Sequence, residues 1–536
     1  MRFTGSAGLF CVLILSCVLS CTKASKKEFT YCSEGEPTTF NPQLGGDGAT
    51  FDASSQPIYN RLIDFEEGTT NLVPSLAKSW TVSKGGTEIV FDLQENVSFH
   101  KTPYFTPTRK FNAEDVVFSF LKMLDPSHKF HKTTLGTYEY FESMGMGSII
   151  KEVKKISEYK VKFVLKKAES PFLASLAMDF ASILSKEYAL KLMTKSRVED
   201  LNTAPVGTGP FVFDSYVKGK EIQYKRNTEY FKGASEVSNL KFMITMDPVK
   251  RLKYLREGKC DFVKNFASIA RGEFSSSDNI KLVKAPGLNI GYIGINLRNK
   301  KLRNKKLRLA MNKALNRESY IDSIYLGNAT QAKSPIPPGM WAYDEDLKNL
   351  DYDLEEAKRL IKESGVDLPL QLTLWTLPVS RPYNPNGKIM GEMIREDLKQ
   401  IGIELSLVTY DWPTYLRKLK EGEHELAQYG WSADSGDPDN FLNILLSCSG
   451  AKGGSNVSGF CNAEYDSYIN QAKQEFSQSK RAEMYKKALK IFQDEMPFLP
   501  IAHSNLFRVM SNDVEGYVVR PMGTESFYKV RLKSWK

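Results

Sequence analysis

Stretches that alternate apolar with polar residues and longer amphipathic stretches follow one another along the 536 residues. Trp80-Thr81-Val82 and Ile89 to Leu93 alternate on either side of Lys84-Gly85-Gly86, a pattern that predicts a β-hairpin. Asn112-Ala113-Glu114-Asp115 predicts a helix start, with a capping Asn and acids in the first turn. Val116, Val117, Phe120, Leu121 and Leu124 then form its apolar face. Asp353 and Glu356 open another helix before Ala357, Leu360 and Ile361, and Gly365 ends it. A strand over 370–377, a helix over 388–400 and a strand over 403–409 follow, which is a β-α-β crossover between parallel strands. This alternation predicts α/β layers. The length exceeds one ordinary core, so two or three domains are expected. With no repeat and no low-complexity linker, those domains are expected to be interwoven by strands that pass more than once between lobes.

Composition narrows the class. A hydrophobic content of 41% with 12% aromatics is that of a folded chain, not a disordered one. The net charge of +10 is mild over this length, and its densest run, Lys300 to Arg308, reads as a solvated stretch entering a helix. No basic stripe is interleaved with stacking aromatics, so nucleic acid is not an expected partner. Arg2 followed by the apolar run Ala7 to Ser20 reads as a secretory leader, too short to span a bilayer. Val18-Leu19-Ser20-Cys21 resembles a lipobox in which Cys21 carries the lipid, and Ile14-Leu15-Ser16-Cys17 is a second candidate. The expectation is a signal peptide over 1–20, export to the bacterial cell envelope and a lipid-anchored protein facing the periplasm. Beyond the leader remain Cys32, Cys260, Cys448 and Cys461, which suggest two disulfides in an oxidising compartment; spacing alone permits three pairings. Cys448 and Cys461 flank a Gly/Ser-rich loop that a bond between them would close, leaving Cys32 with Cys260.

The chemistry of an enzyme is missing. Five histidines are few for a metalloenzyme, and His128 and His131 lie beside Asp125-Pro126-Ser127, a loop. There is no Gly-x-Ser-x-Gly elbow, His-Glu-x-x-His pair or phosphate loop. Gly207-Thr208-Gly209-Pro210 reads as a turn between strands, and Asp437-Pro438-Asp439 as a turn that ends one. Neither a metal nor another cofactor is expected.

Several longer motifs carry a family resemblance. Leu76 to Trp80 through Phe99-His100, Phe111 to Phe120, Val206 to Phe211 and Leu307 to Leu315 resemble the peptide/nickel class (family 5) of extracytoplasmic solute-binding proteins. Within it, Arg381-Pro382-Tyr383-Asn384-Pro385-Asn386 and Gly430-Trp431-Ser432-Ala433-Asp434 through Phe441 are similar to the dipeptide-binding branch, with haem- and glutathione-binding lipoproteins close by. The resemblance implies a type II periplasmic-binding-protein-like α/β fold with two lobes and an extra domain. Domain I would take 27–59, 209–287 and 505–536, domain II 60–208, and domain III 288–504. It also implies the pairing Cys32–Cys260 and Cys448–Cys461.

The implied activity is capture of a dipeptide or very short peptide by a monomer that delivers it to an inner-membrane ABC permease with its ATPase subunits. Haem or glutathione is the alternative ligand; a secreted hydrolase or a surface adhesin is the alternative of another class. By the resemblance, Asp434 receives the peptide's α-ammonium and Arg381 its α-carboxylate. Trp431, Ser432 and Ala433 would supply main-chain groups, and Tyr383, beside Pro382, would line the pocket. Gly46 falls where the family carries a threonine on the domain I wall, which removes a hydroxyl there. The physical logic is independent of the family. The ends of a dipeptide carry opposite charges at most roughly 7 Å apart, so a fixed carboxylate and guanidinium measure its length.

Overall fold

One fourteen-residue strand, Phe498–Ser511, joins the two halves of the molecule. The computed structural model describes Met1 and residues 28–131, 138–264, 279–453 and 455–533. The leader with Cys11, Cys17 and Cys21 lies outside the described residues. The first half of the long strand pairs antiparallel with Asn289–Ile295 and Ala329–Gln331. Its second half pairs with Ile280–Pro286 and Phe262–Lys264. From the first half the sheet continues through Leu426–Ser432 and Leu370–Trp375 to Ile403–Val408. From the second it continues through Glu28–Ser33, Asn239–Ile244 and Glu221–Arg226 to Phe211–Val217. The fold is mixed α/β, as expected.

The chain therefore crosses between halves twice, near Gly287-Leu288 and near Ser504-Asn505. Asn289 ties the crossings together: its Nδ2 donates to Ser504 O at 3.0 Å, while its Oδ1 accepts from Ser504 N at 2.9 Å and Oγ at 3.1 Å. Side-chain parity along Asn289–Ile295 explains the layers of the second lobe. Ile293 and Ile295 enter one buried cluster, Ile290 and Tyr292 another on the opposite face. A strand covered on both faces is buried along its whole length, and this one carries no charged residue; its polar side chain, Asn289, is satisfied by Ser504.

The predicted hairpin is Ala77–Val82 paired with Glu88–Leu93, within a four-stranded antiparallel sheet completed by Lys160–Leu165 and Ile150–Ser157. The helix Ala113–Leu124 packs on it, with Phe120 edge-on to Phe163 at 4.9 Å. Its start forms a complete capping box between Asn112 and Asp115. Val117, Leu121 and Leu124 are only half-buried, whereas Phe118, Met123 and Lys122 are buried, so the covered face is wider than predicted. Lys122 is fully covered, and burial lowers its pKa to about 7.

The β-α-β unit is Leu370–Trp375, Gly387–Lys399 and Ile403–Val408, with parallel register Leu370 to Ile403. The disulfides join Cys32 to Cys260 and Cys448 to Cys461. The Lys300 to Arg308 run departs from the solvated reading at its end. Arg308 is buried, and its guanidinium bonds the carbonyls of Leu302, Arg303, Glu495 and Met496, satisfying the C-terminus of helix Gln478–Glu495.

Candidate functional site

The site is built around the C-terminal end of strand Leu426–Ser432. Leu370–Trp375 pairs with it only at Leu426 and Ala427, and then diverges into the loop that carries Arg381. Buried Gln428 holds that loop from below. Its Oε1 accepts from Leu377 N at 3.0 Å and Asn384 Nδ2 at 3.1 Å, and its Nε2 donates to Gly387 O at 2.9 Å. Arg381 and Asn384 exchange backbone hydrogen bonds at 3.1 and 3.0 Å, closing the turn. Two glycines let the loop lie directly on the sheet. A Cβ on Gly430 would stand 2.2 Å from Tyr383 Cδ2, and one on Gly291 would stand 2.2 Å from Tyr383 O.

Past Ala427, one edge of strand Leu426–Ser432 is left without a strand partner. Ala433 N–H is committed to Leu288 O at 2.8 Å. By alternation, Ser432 presents its main-chain groups to the open edge, while Ala433 is not free as a donor. The turn after it is fixed by Asn440, whose Oδ1 accepts from Trp431 Nε1 at 2.9 Å and Asp434 N at 3.0 Å.

Asp434 opens onto a cavity of ≈ 160 Å³ between the halves. Gly48 and Phe51 of helix Gly48–Ala53, Phe65, Tyr140, the stretch Ala177 to Phe180 and the C-terminal stretch Arg520 to Thr524 form its other walls. Burial pushes the Asp434 carboxyl above its usual range, against the bond to Asn440. Tyr140 is pushed up to about 12, first by burial and then by Asp434 and Asp179. Behind this wall Arg61 pairs with Asp64 at 2.8 Å and lies 3.8 Å from Asp179, while Arg520 pairs with Asp64 at 3.2 Å. Burial works to raise Asp64, but Arg61 and Arg520 hold it at about 2. These four charges neutralise one another. Among the described residues Asp434 has no ion-pair partner, and neither has Arg381, whose guanidinium stacks 4.8 Å above the Trp412 ring.

The structure thus places Asp434 and Ala433 on the cavity, with Trp431 half-buried and Ser432 exposed beside it. Tyr383 is buried against the sheet, Arg381 is half-buried on Trp412, and Pro382 is exposed. Gly46 is exposed with Glu139 beside it, since a Cβ there would meet Glu139 Oε2 at 2.6 Å; Gly48, two residues on, lines the cavity instead. Tyr140, Asp179, Arg520 and Met522 escaped the sequence reading because they come from segments that are not contiguous with one another or with the Asp434 motif. The one local signal was the turn composition of Arg520-Pro521-Met522-Gly523. Asp437-Pro438-Asp439 does follow the strand, but it also starts helix Asp439–Leu446, and Asp437 is bound at both oxygens by buried Arg481.

Comparison with known proteins agrees with this architecture. The family model for bacterial extracellular solute-binding proteins, family 5, matches residues 71–453. The dipeptide-binding protein of Escherichia coli (strain K12) is 43% identical over 509 residues, 95% of each chain. The structure of HbpA2 from Haemophilus parasuis is 37% identical, covers 94% of this chain and 100% of its own, and superposes with a TM-score of 0.92. The dipeptide binding protein of Pseudoalteromonas sp. SM9913, in complex with Met-Leu, is 35% identical with the same coverage and a TM-score of 0.72. The chain belongs to the bacterial extracellular solute-binding proteins of family 5.

Proposed function

We propose that this chain captures dipeptides or very short peptides between its lobes and hands them to the membrane permease of an ATP-driven importer, acting as a monomer. The carrying observation is that Asp434 and Arg381, opposite charges flanking one open strand edge, both lack an ion-pair partner among the described residues. A zwitterionic peptide supplies both at once: its ammonium for Asp434, its carboxylate for Arg381. Its backbone adds to the edge at Ser432, with Tyr383 and Trp431 as walls. The cavity beside Asp434, ≈ 160 Å³ and without a histidine among its described lining residues, suits a ligand side chain better than haem.

Closure of the lobes about the two crossing strands completes the site. At equal coverage and nearly equal identity, the TM-score is 0.92 to one relative and 0.72 to the Met-Leu complex, which supports a lobe arrangement different from the peptide-bound one. Residues 27–59, 209–287 and 505–536 would move as one body with 60–208, against 288–504. Cys21 would tether the protein to the membrane that faces the permease.

Calorimetry with a dipeptide panel tests the reading. Truncating one member of a hydrogen-bonded charge pair costs about 2–5 kcal/mol, so Asp434→Ala should lose most of a micromolar affinity. No binding by the wild type, or equal binding by the variant, refutes it.

A further inference from the structure

Asp434 owes its position to Asn440, the second residue of helix Asp439–Leu446, so the start of that helix decides where the carboxylate stands. The start is itself tied to a segment far away. Lys473 Nζ lies 3.8 Å from Asp439 Oδ2 and 3.0 Å from Glu169 Oε1. Glu169 and Asp439 are 4% and 8% exposed, two buried carboxylates bridged by the Lys473 ammonium, and Glu169 also meets Lys167 Nζ at 3.5 Å from its other oxygen.

The backbone docks at the same place. Ser170 N–H donates to Lys473 O at 2.6 Å, and Ser170 Oγ donates to Ala472 O at 3.1 Å. Phe476 covers the neighbouring hairpin, where a Cβ on Gly86 would stand 2.8 Å from both Phe476 Cε2 and Ala168 Cβ. The second lobe therefore touches the four-stranded-sheet unit directly. A cavity of ≈ 280 Å³ lies against this contact, and Asp439 Oδ1 has no hydrogen-bond partner among the described residues.

We infer that Lys473 is a positioning residue for ligand binding: by bridging Glu169 and Asp439 it sets the helix start, and through Asn440 the reach of Asp434 towards the ligand's ammonium. This rests on the reading of Asp434 given above. The bridge lies outside the cavity that Asp434 lines.

The test is calorimetry with Met-Leu as the probe, with lobe folding followed by circular dichroism. Lys473→Met should weaken binding about tenfold, within the range for residues that act on a site through another. Lys473→Arg should restore most of it. In an Asp434→Asn background, Lys473→Met should cost little more, because its effect passes through Asp434. Should Lys473→Met not fold, Glu169→Gln makes the same test from the other side of the bridge. Unchanged affinity in Lys473→Met or Glu169→Gln while Asp434→Asn is impaired, or fully additive losses, overturns the inference and leaves the reading of Asp434 standing. No Met-Leu binding by the wild type removes both.

Discussion

Replacing Arg481 by Met is expected to destabilise the second lobe by about 3–5 kcal/mol, because it strands a buried carboxylate. Arg481 and Asp437 are 6% and 3% exposed. The guanidinium grips both Asp437 oxygens, at 2.8 and 2.7 Å, and donates a third bond to Tyr485 Oη at 2.8 Å. It also lies over the rings of Trp341 and Tyr485, at 5.2 and 5.5 Å. Burial alone would disfavour the cation, and Asp437 more than offsets this, raising the pKa of Arg481 above its ordinary value. Methionine keeps much of the stem but leaves Asp437 with one bond, from Asp439 N at 2.9 Å. For a lobe of some two hundred residues, the loss corresponds to about 6–20 °C in its melting transition. Thermal and urea unfolding followed by circular dichroism reads it. Removing both charges, with Asp437→Asn added to Arg481→Met, should recover a large part of the loss, because the penalty lies in the orphaned ion. A single variant within about 1 kcal/mol of wild type, or a double variant no more stable than the single, refutes the reasoning.

Gly430→Ala should force Tyr383 off the sheet, since the added Cβ falls 2.2 Å from its ring, at a cost of about 1–3 kcal/mol in stability together with weaker peptide binding. Unchanged melting and affinity would show that the ring has room to yield. Burial lowers His503 to about 4, where its Nδ1 meets Asn289 O at 2.7 Å. The unfolded imidazole titrates near 6.5, so the unfolded chain takes up the extra proton first, and stability falls as pH drops from about 6.5 to 4. The contribution is up to about 3 kcal/mol. His503→Asn should flatten the stability–pH curve in that window, and a parallel curve would contradict the assignment.

Features written in neighbouring residues were legible in the sequence. Asn112 with Asp115, Asp353 with Gly365 and the Lys84-Gly85-Gly86 turn fix local backbone geometry through capping bonds and glycine freedom, and the structure shows the elements they predict. The cysteines also paired as expected, the loop-closing pair carrying a local signal and the other following from it. Polar residues recruited to buried duty were not legible. Lys122 in a core and Arg308 on helix-end carbonyls look like solvated charges until a distant element covers them. The site divides the same way. Arg381, Tyr383 and Asp434 stand in contiguous motifs, whereas Tyr140, Asp179 and Arg520 are joined to Asp434 only by the fold. The two-residue offset between Gly46 and the cavity-lining Gly48 has the same origin, since only the packing of helix Gly48–Ala53 shows which glycine faces the cavity.

The central claim is that each end of a peptide meets one unpaired charge of the protein. The most direct measurement compares a dipeptide with its N-acetylated and C-amidated forms, by calorimetry, on wild type, Asp434→Asn and Arg381→Met. Acetylation should abolish binding to wild type yet add little to the loss in Asp434→Asn, and amidation should behave likewise with Arg381→Met. Equal sensitivity of all three proteins to both blocked forms would show that these residues do not receive the ligand's ends.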